Sequence, residues 1–228
     1  MNIGKISQDS INENIQNMKR SMSEQDIEDC NIGLSNSDQN GDGYTSGIEI
    51  YKSFSKICSN LFSENEELQA HGEELSLQIG EIYSRYAGED GMLDAYEYNA
   101  ALQSDEMSVL LNEYWEMKDF AEASKGENAI GLLHHDINND DKTSAVEIYQ
   151  DKIDLYSKVF EDDEKKQKRA EEIALTQSEI LSKYAGSDGV LNQEEYSRAL
   201  RSEAYGKTMT QYLEFKKILS NIEIENDN

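Results

Sequence analysis

Apolar side chains recur at steps of three and four through most of the chain. Ile48, Tyr51, Phe54, Cys58 and Leu61 form one such stripe, and Val146, Tyr149, Ile153, Tyr156 and Phe160 form another. That period is helical, so each stripe predicts a helix whose apolar face turns to a core. A second helix is predicted after each, marked by Leu75, Ile79, Ile82 and Tyr86 and by Ile173, Ile180 and Tyr184. The polar stretches SENEE (63–67) and EDDEKK (161–166) are the breaks between them. Near the start, Ile11, Ile15, Met18 and Met22 predict that residues 1–22 are either an amphipathic helix or a disordered arm. The chain has no proline, which suits long unbroken helices. The fold class expected from the pattern is all-α.

Displaced by 98 residues, the sequence falls on itself. GLSNSDQNGDGYTSGIEIY meets GLLHHDINNDDKTSAVEIY and, without a gap, YAGEDGMLDAYEYNAAL meets YAGSDGVLNQEEYSRAL. Between the motifs Phe62 meets Phe160, Leu77 meets Leu175 and Ile82 meets Ile180. An ungapped register over roughly 85 residues points to duplication of a whole structural unit. The junction between copies is expected at Gly126–Ile130.

Each acidic motif lies between two predicted helices. Asp38–Glu49, DQNGDGYTSGIE, fits the pattern D-x-[DN]-x-[DN]-G-x5-E at every specified place. A calcium ion takes about six to eight oxygen ligands, and this spacing wraps them round a point. Asp38, Asn40 and Asp42 would supply side-chain oxygens, Tyr44 its carbonyl, Ser46 a contact through water, and Glu49 both carboxylate oxygens. Asp136–Glu147, DINNDDKTSAVE, keeps Asp136, Asn138, Asp140, Ser144 and Glu147, with Lys142 giving only its carbonyl. Asp141 stands where Gly43 stands in the first loop, at a position that needs a positive φ, so weaker or slower binding is expected there. Turn-forming residues joining helices without any ion would read similarly.

These loops resemble those of the EF-hand superfamily, whose hands come in pairs, and the resemblance implies that each good loop has a partner. The partners are YAGEDGMLDAYE and YAGSDGVLNQEE. They lack an acidic first ligand, but as 11-residue loops from Ala87 and Ala185 they resemble the first hand of penta-EF-hand proteins. That likeness implies ligation by the carbonyl of Ala87, Asp90, the carbonyl of Met92, Asp94 through water, and Glu97. In the fourth loop it implies Ala185, Asp188, the carbonyl of Val190, Asn192 and Glu195. Loops that hold their neighbour in shape without metal are the alternative. No fifth hand is visible. The domains expected are an N-terminal segment 1–22, hand pairs at 23–122 and 123–220, and a frayed tail 221–228. The fold class becomes all-α with two tandem EF-hand pairs. The expected cofactor is Ca2+, two to four ions, with Mg2+ as a competitor.

Composition narrows the partners. Against 21 Lys and Arg stand 47 Asp and Glu, a net charge of −26, which repels nucleic acid and anionic membrane surfaces and favours cations. No run approaches the roughly 18 apolar residues of a membrane span, and Asn2 stands where an N-myristoyl anchor needs glycine. Low cysteine content and no visible signal favour the cytoplasm, with signal-less export equally compatible. Cys30 and Cys58 are expected as buried thiols rather than a bridge. His134 and His135 point about 100° apart on a helix and make a poor chelate, His71 stands alone, and Trp115 is expected in packing. No phosphate loop, nucleophile elbow or Cys–His pair is present, so no enzyme is expected. Expected functions are a calcium sensor or buffer, with a possible protein target in a hydrophobic groove, or a helical scaffold whose acidic face meets a basic partner.

Overall fold

The computed structural model describes residues 7–127, 129–160 and 163–226. The first six residues, Asn128 of the expected junction, residues 161 and 162 of the second polar break and the last two of the tail lie outside the described residues. Among the described residues the all-helical expectation is met by ten α-helices. In chain order they are α1 (Gln8–Ser21), α2 (Glu24–Ser37), α3 (Gly47–Leu61), α4 (Glu66–Tyr86), α5 (Ala95–Leu102) and α6 (Asp105–Ser124). After a short 3-10 turn at Gly131–His135 come β1 (Thr143–Ser144), α7 (Ala145–Val159), α8 (Glu164–Ser182), β2 (Val190–Leu191), α9 (Gln193–Leu200) and α10 (Glu203–Asn226). α10 is helix through Asn226, within the segment where fraying is expected. Among the described residues no helix is long and apolar enough to cross a membrane.

The breaks supply the caps. Ser7, Ser23, Ser46, Asn65, Asp94, Ser144, Asp163 and Asn192 each accept a backbone N–H from the first turn of the helix they precede. Four helices begin 98 residues before four others, Gly47 and Ala145, Glu66 and Glu164, Ala95 and Gln193, Asp105 and Glu203. The match fails before the third acidic loop. α2 stands ahead of the first loop, whereas only the turn Gly131–His135 stands ahead of the third.

The described residues divide into two compact units within 2–114 and 115–228, the division falling inside α6 between Tyr114 and Trp115. The expected boundary, 122/123, lies near the end of the same helix. In the first unit α3 packs along α4 and both α1 and α2 lie on α5. The core holds Ile50, Cys58, Phe62, Leu68, Leu75, Ile79, Ile82 and Tyr86. Cys30 and Cys58 are both buried free thiols. Burial raises the Cys58 thiol pKa, and burial with the Asp26 and Asp29 charges raises that of Cys30.

Contrary to the stripe expectation, Ile48 and Val146 do not face the core. Ile48 and Val146 are 63% and 70% exposed, while Ile50 and Ile148 are 1% and 2% exposed. Glu49 and Glu147 turn back to cap Ser46 and Ser144, and that fixes the rotation of α3 and α7. A residue about 100° to one side of the capping glutamate then faces solvent, and its counterpart on the other side faces the core.

In the second unit α7 and α10 pack on α8. Its interior carries a polar cluster that the stripe did not reveal. The ammonium of Lys152 meets Glu116 Oε1 and Gln177 Oε1, each at 2.6 Å. Tyr205 donates to the same glutamate oxygen at 3.3 Å. The positions 98 residues earlier hold Phe54, Ile79 and Met107.

Candidate metal-binding loops

The first loop leaves α2 at Asp38 and enters α3 through Ser46. Asp38 folds over the turn, its two oxygens accepting from Gly41 N at 2.7 Å and Gly43 N at 2.9 Å. Those amides hold its carboxyl below the ordinary carboxylate pKa, Gly43 contributing most. Asn40 Oδ1 accepts from Asp42 N at 2.8 Å and Asp42 Oδ1 from Tyr44 N at 2.9 Å. Alternate side chains are therefore anchored to the loop's own amides. Gly41 and Gly43 sit at φ of 75° and 84°, where a side chain would be strained. Glu49 closes the circuit from the helix side. Its Oε1 accepts from Gln39 N at 3.3 Å and its Oε2 from Ser46 N and Oγ, each at 3.0 Å.

The third loop repeats this with different residues. Asp136 accepts from Asp140 N at 3.2 Å and Asp141 N at 2.9 Å, and Asp140 from Lys142 N at 3.0 Å. Asn138 Nδ2 donates to Glu147 Oε1 at 2.8 Å, and Ser144 N donates to Glu147 Oε2 at 2.8 Å. Asp141 takes a φ of 61°, and so does its neighbour but one, Asn139, at 58°. The positive φ at Asp141 is the one expected from the alignment with Gly43; that at Asn139 was not expected, although Asn is among the residues that tolerate the left-handed region.

In the second loop Asp90 Oδ1 accepts from Met92 N at 3.0 Å, and Asp94 N donates to Glu97 Oε2 at 2.9 Å. A Cβ on Gly88 would lie 3.0 Å from Glu97 Oε1 and 3.9 Å from Asp90 Oδ1. The fourth loop has the same cradle, with Gly186 so placed at 3.1 Å from Glu195 Oε1 and 3.4 Å from Asp188 Oδ1. Two acidic oxygens from opposite ends of each loop thus look onto one glycine. Burial raises the pKa of Glu97 most, the Asp94 and Asp90 charges add to that, and Lys19 opposes them. Asn192 caps α9 from the position Asp94 holds before α5, accepting from Glu195 N at 2.9 Å.

The loops are joined two by two. Thr143 pairs with Leu191 and Ser144 with Val190, antiparallel. The first pair is bridged by Leu93 N donating to Thr45 O at 2.9 Å, at positions 98 residues earlier. Both threonines are buried and bond back to the entering segment, Thr45 to Leu34 O at 2.8 Å and Thr143 to Leu132 O at 3.1 Å.

The donors are hard oxygens throughout, the set that suits calcium or magnesium rather than a soft metal. Asp38, Asn40, Asp42, Ser46 and Glu49, with the Tyr44 carbonyl, would hold an ion in the first loop. Among the described residues no three Asp, Glu, His or Cys side chains converge on one point. An ion in any loop would therefore draw on amide, hydroxyl and main-chain oxygens besides carboxylates. Tyr44 and Lys142 turn their side chains to solvent, consistent with a carbonyl-only part for each.

Side chains set aside by the sequence reading have partners elsewhere. His71 Nε2 lies 2.5 Å from Glu113. His135 Nδ1 lies 2.7 Å from Asp151, and His134 stacks on Trp115. Asp119 is buried, accepting from Gly131 N at 3.0 Å and Tyr196 OH at 3.2 Å. Fold and loops together define the molecule as an all-helical protein with four acidic interhelical loops joined in two pairs. Comparison with family models, with curated proteins and with solved structures gave no match.

Proposed function

We propose that this chain is a reversible calcium-binding protein of the EF-hand type, with two tandem hand pairs. The observation that carries this reading is the first loop, where Asp38, Asn40 and Asp42 at alternate positions and Glu49 from α3 bind back onto one 12-residue turn. The third loop supplies Asp136, Asn138, Asp140, Ser144 and Glu147. The second and fourth, read by likeness to the first hand of penta-EF-hand proteins, supply Ala87, Asp90, Met92, Asp94 and Glu97, and Ala185, Asp188, Val190, Asn192 and Glu195. Two to four ions are accommodated on this reading, and Mg2+ competes through the same oxygens.

A bound divalent ion supplies neutralisation of carboxylates that otherwise repel one another. The protein's part is to hold the donors, and Glu49 ties the start of the loop to the first turn of α3. Any change in what Glu49 contacts is thereby passed to that helix. Such coupling opens an apolar groove for a protein target in sensors and moves little in buffers. No catalytic role is proposed.

Calorimetric titration of the full chain with calcium tests this. Saturable heat, reduced by one site in Glu49→Gln, is the expected result. Exposure of dye-binding surface on saturation assigns a sensor, and saturation without exposure assigns a buffer. Absence of heat overturns the calcium reading and leaves the other one, a helical scaffold whose charge of −26 meets a basic protein partner.

A further inference from the structure

We propose that α1 is a built-in antagonist of the second loop: docked on α5, it holds the Lys19 ammonium against the carboxylate end of that loop, so that α1 docking and cation uptake oppose each other. The proposal rests on the calcium reading above and adds a regulation that the loops alone do not imply.

The contact is built at both ends of α1. Ile11 and Ile15 are 2% and 8% exposed, so the apolar stripe of this helix is spent on its own unit. Its partner is α5, the helix that starts immediately after Asp94 and carries Glu97 in its first turn. One turn beyond Ile15, Asn99 Nδ2 of α5 donates to Met18 Sδ at 3.4 Å. Lys19 then reaches across, its Nζ 5.8 Å from the centre of the Tyr96 ring. Tyr96 is the residue before Glu97, and the positive charge of Lys19 acts on that carboxyl against the Asp90 and Asp94 charges. Lys19 is exposed, so it is held there by the docking of the rest of the helix rather than by its own burial.

A monovalent cation on a side chain and a divalent ion would occupy the same negative field. While α1 is docked, the lysine partly offsets that field and weakens the attraction for an ion. An ion in the loop repels the lysine in turn and lowers the docking free energy of α1 by the same amount, as linkage requires. The second unit provides a control. Lys118 of α6 stands 5.5 Å over the Trp115 ring and pairs with Glu122 at 2.5 Å, turned to its own helix.

The test uses the full chain. Calorimetric calcium titration of Lys19→Gln is expected to show one site tightened about threefold to tenfold at low ionic strength, and less at high salt, with the other sites unchanged. Lys118→Gln is expected to titrate as wild type. Ile11→Asp, which removes the anchor and leaves Lys19 in place, is expected to tighten the same site. Hydrogen exchange gives a readout that needs no metal: in chelator, Lys19→Gln should speed exchange of the α1 amides, and calcium should do the same in the wild type. Wild-type calcium heat with an unchanged Lys19→Gln titration overturns this proposal alone, as does α1 exchange indifferent to calcium. Absence of any calcium heat in wild type overturns the calcium reading and this proposal with it.

Discussion

Asp119 illustrates what a single side chain can hold together. It stands on α6 and receives Gly131 N–H with one oxygen and the Tyr196 hydroxyl with the other. Gly131 must lack a side chain there, because a Cβ would lie 2.2 Å from Asp119 Oδ2. Asp119→Ala leaves two buried donors without an acceptor and is expected to cost about 2–4 kcal/mol in chemical denaturation. Burial raises the Asp119 pKa above the ordinary 3.8, outweighing the two hydrogen bonds that lower it. The folded state therefore binds a proton more readily than the unfolded one. The contribution of this carboxyl is complete below 3.8 and is lost as pH rises through its raised folded value. Asp119→Asn keeps an acceptor for Gly131 N–H and does not titrate. Its melting temperature is expected to fall less than that of the wild type across this window.

At the scale of elements, the meeting of α3 and α4 depends on missing side chains. A Cβ on Gly47 would lie 2.2 Å from Ser84 Oγ and 2.5 Å from the carbonyl of Gly80, and one on Gly80 would lie 2.6 Å from Tyr51 Cβ. The helices touch almost backbone to backbone just where α3 receives Glu49. Gly47→Ala must push them apart, and overpacking of this kind costs about 1–3 kcal/mol. Urea denaturation is expected to read that loss, and under the calcium proposal the first-loop site weakens as Glu49 moves with its helix. In the second unit Ala145 holds the corresponding place, opposite Ser178, whose hydroxyl donates to the Ala145 carbonyl at 2.7 Å. The two crossings solve one problem with different small residues.

The same elements mark how far the sequence could be read. Helix period, polar breaks and the 98-residue register were legible because each is a local property of the chain. The position of the acidic loops between helices was legible for the same reason, their polar residues falling within a dozen consecutive positions. The phase of α3 was not, because Ile48 and Ile50 are both apolar and only the backward turn of Glu49 decides which is buried. The Lys152 cluster was hidden too, since its partners Glu116, Gln177 and Tyr205 come from three other helices. Its one trace is that polar residues replace Phe54, Ile79 and Met107 at equal spacing. Lys19 left no trace, being one basic residue on a helix whose docking partner begins more than 70 residues later.

For the whole molecule the strongest long-range influence is its own charge. With 47 acidic residues against 21 basic ones, the folded state holds the same net negative charge closer together than the unfolded chain does, and that repulsion opposes folding. Screening relieves it without any specific site. The Debye length falls from about 30 Å at 0.01 M salt to about 10 Å at 0.1 M, which covers most separations between surface carboxylates. Potassium chloride added in the presence of a chelator is therefore expected to raise the melting temperature steeply over that range and then level off. Calcium added at about 0.15 M potassium chloride meets a chain whose general repulsion is already screened. A further rise in melting temperature there measures site binding, because only preferential binding to the folded state is left to produce it. Glu49→Gln separates the two contributions: it removes one oxygen that caps α3 and so starts from a lower melting temperature, but it alters net charge by one in 26, so the rise produced by potassium chloride should match that of the wild type while the rise produced by calcium should be smaller. A calcium-induced rise as large in Glu49→Gln as in the wild type would mean that calcium acts on this protein as diffuse counter-charge and that the first loop has no special hold on it.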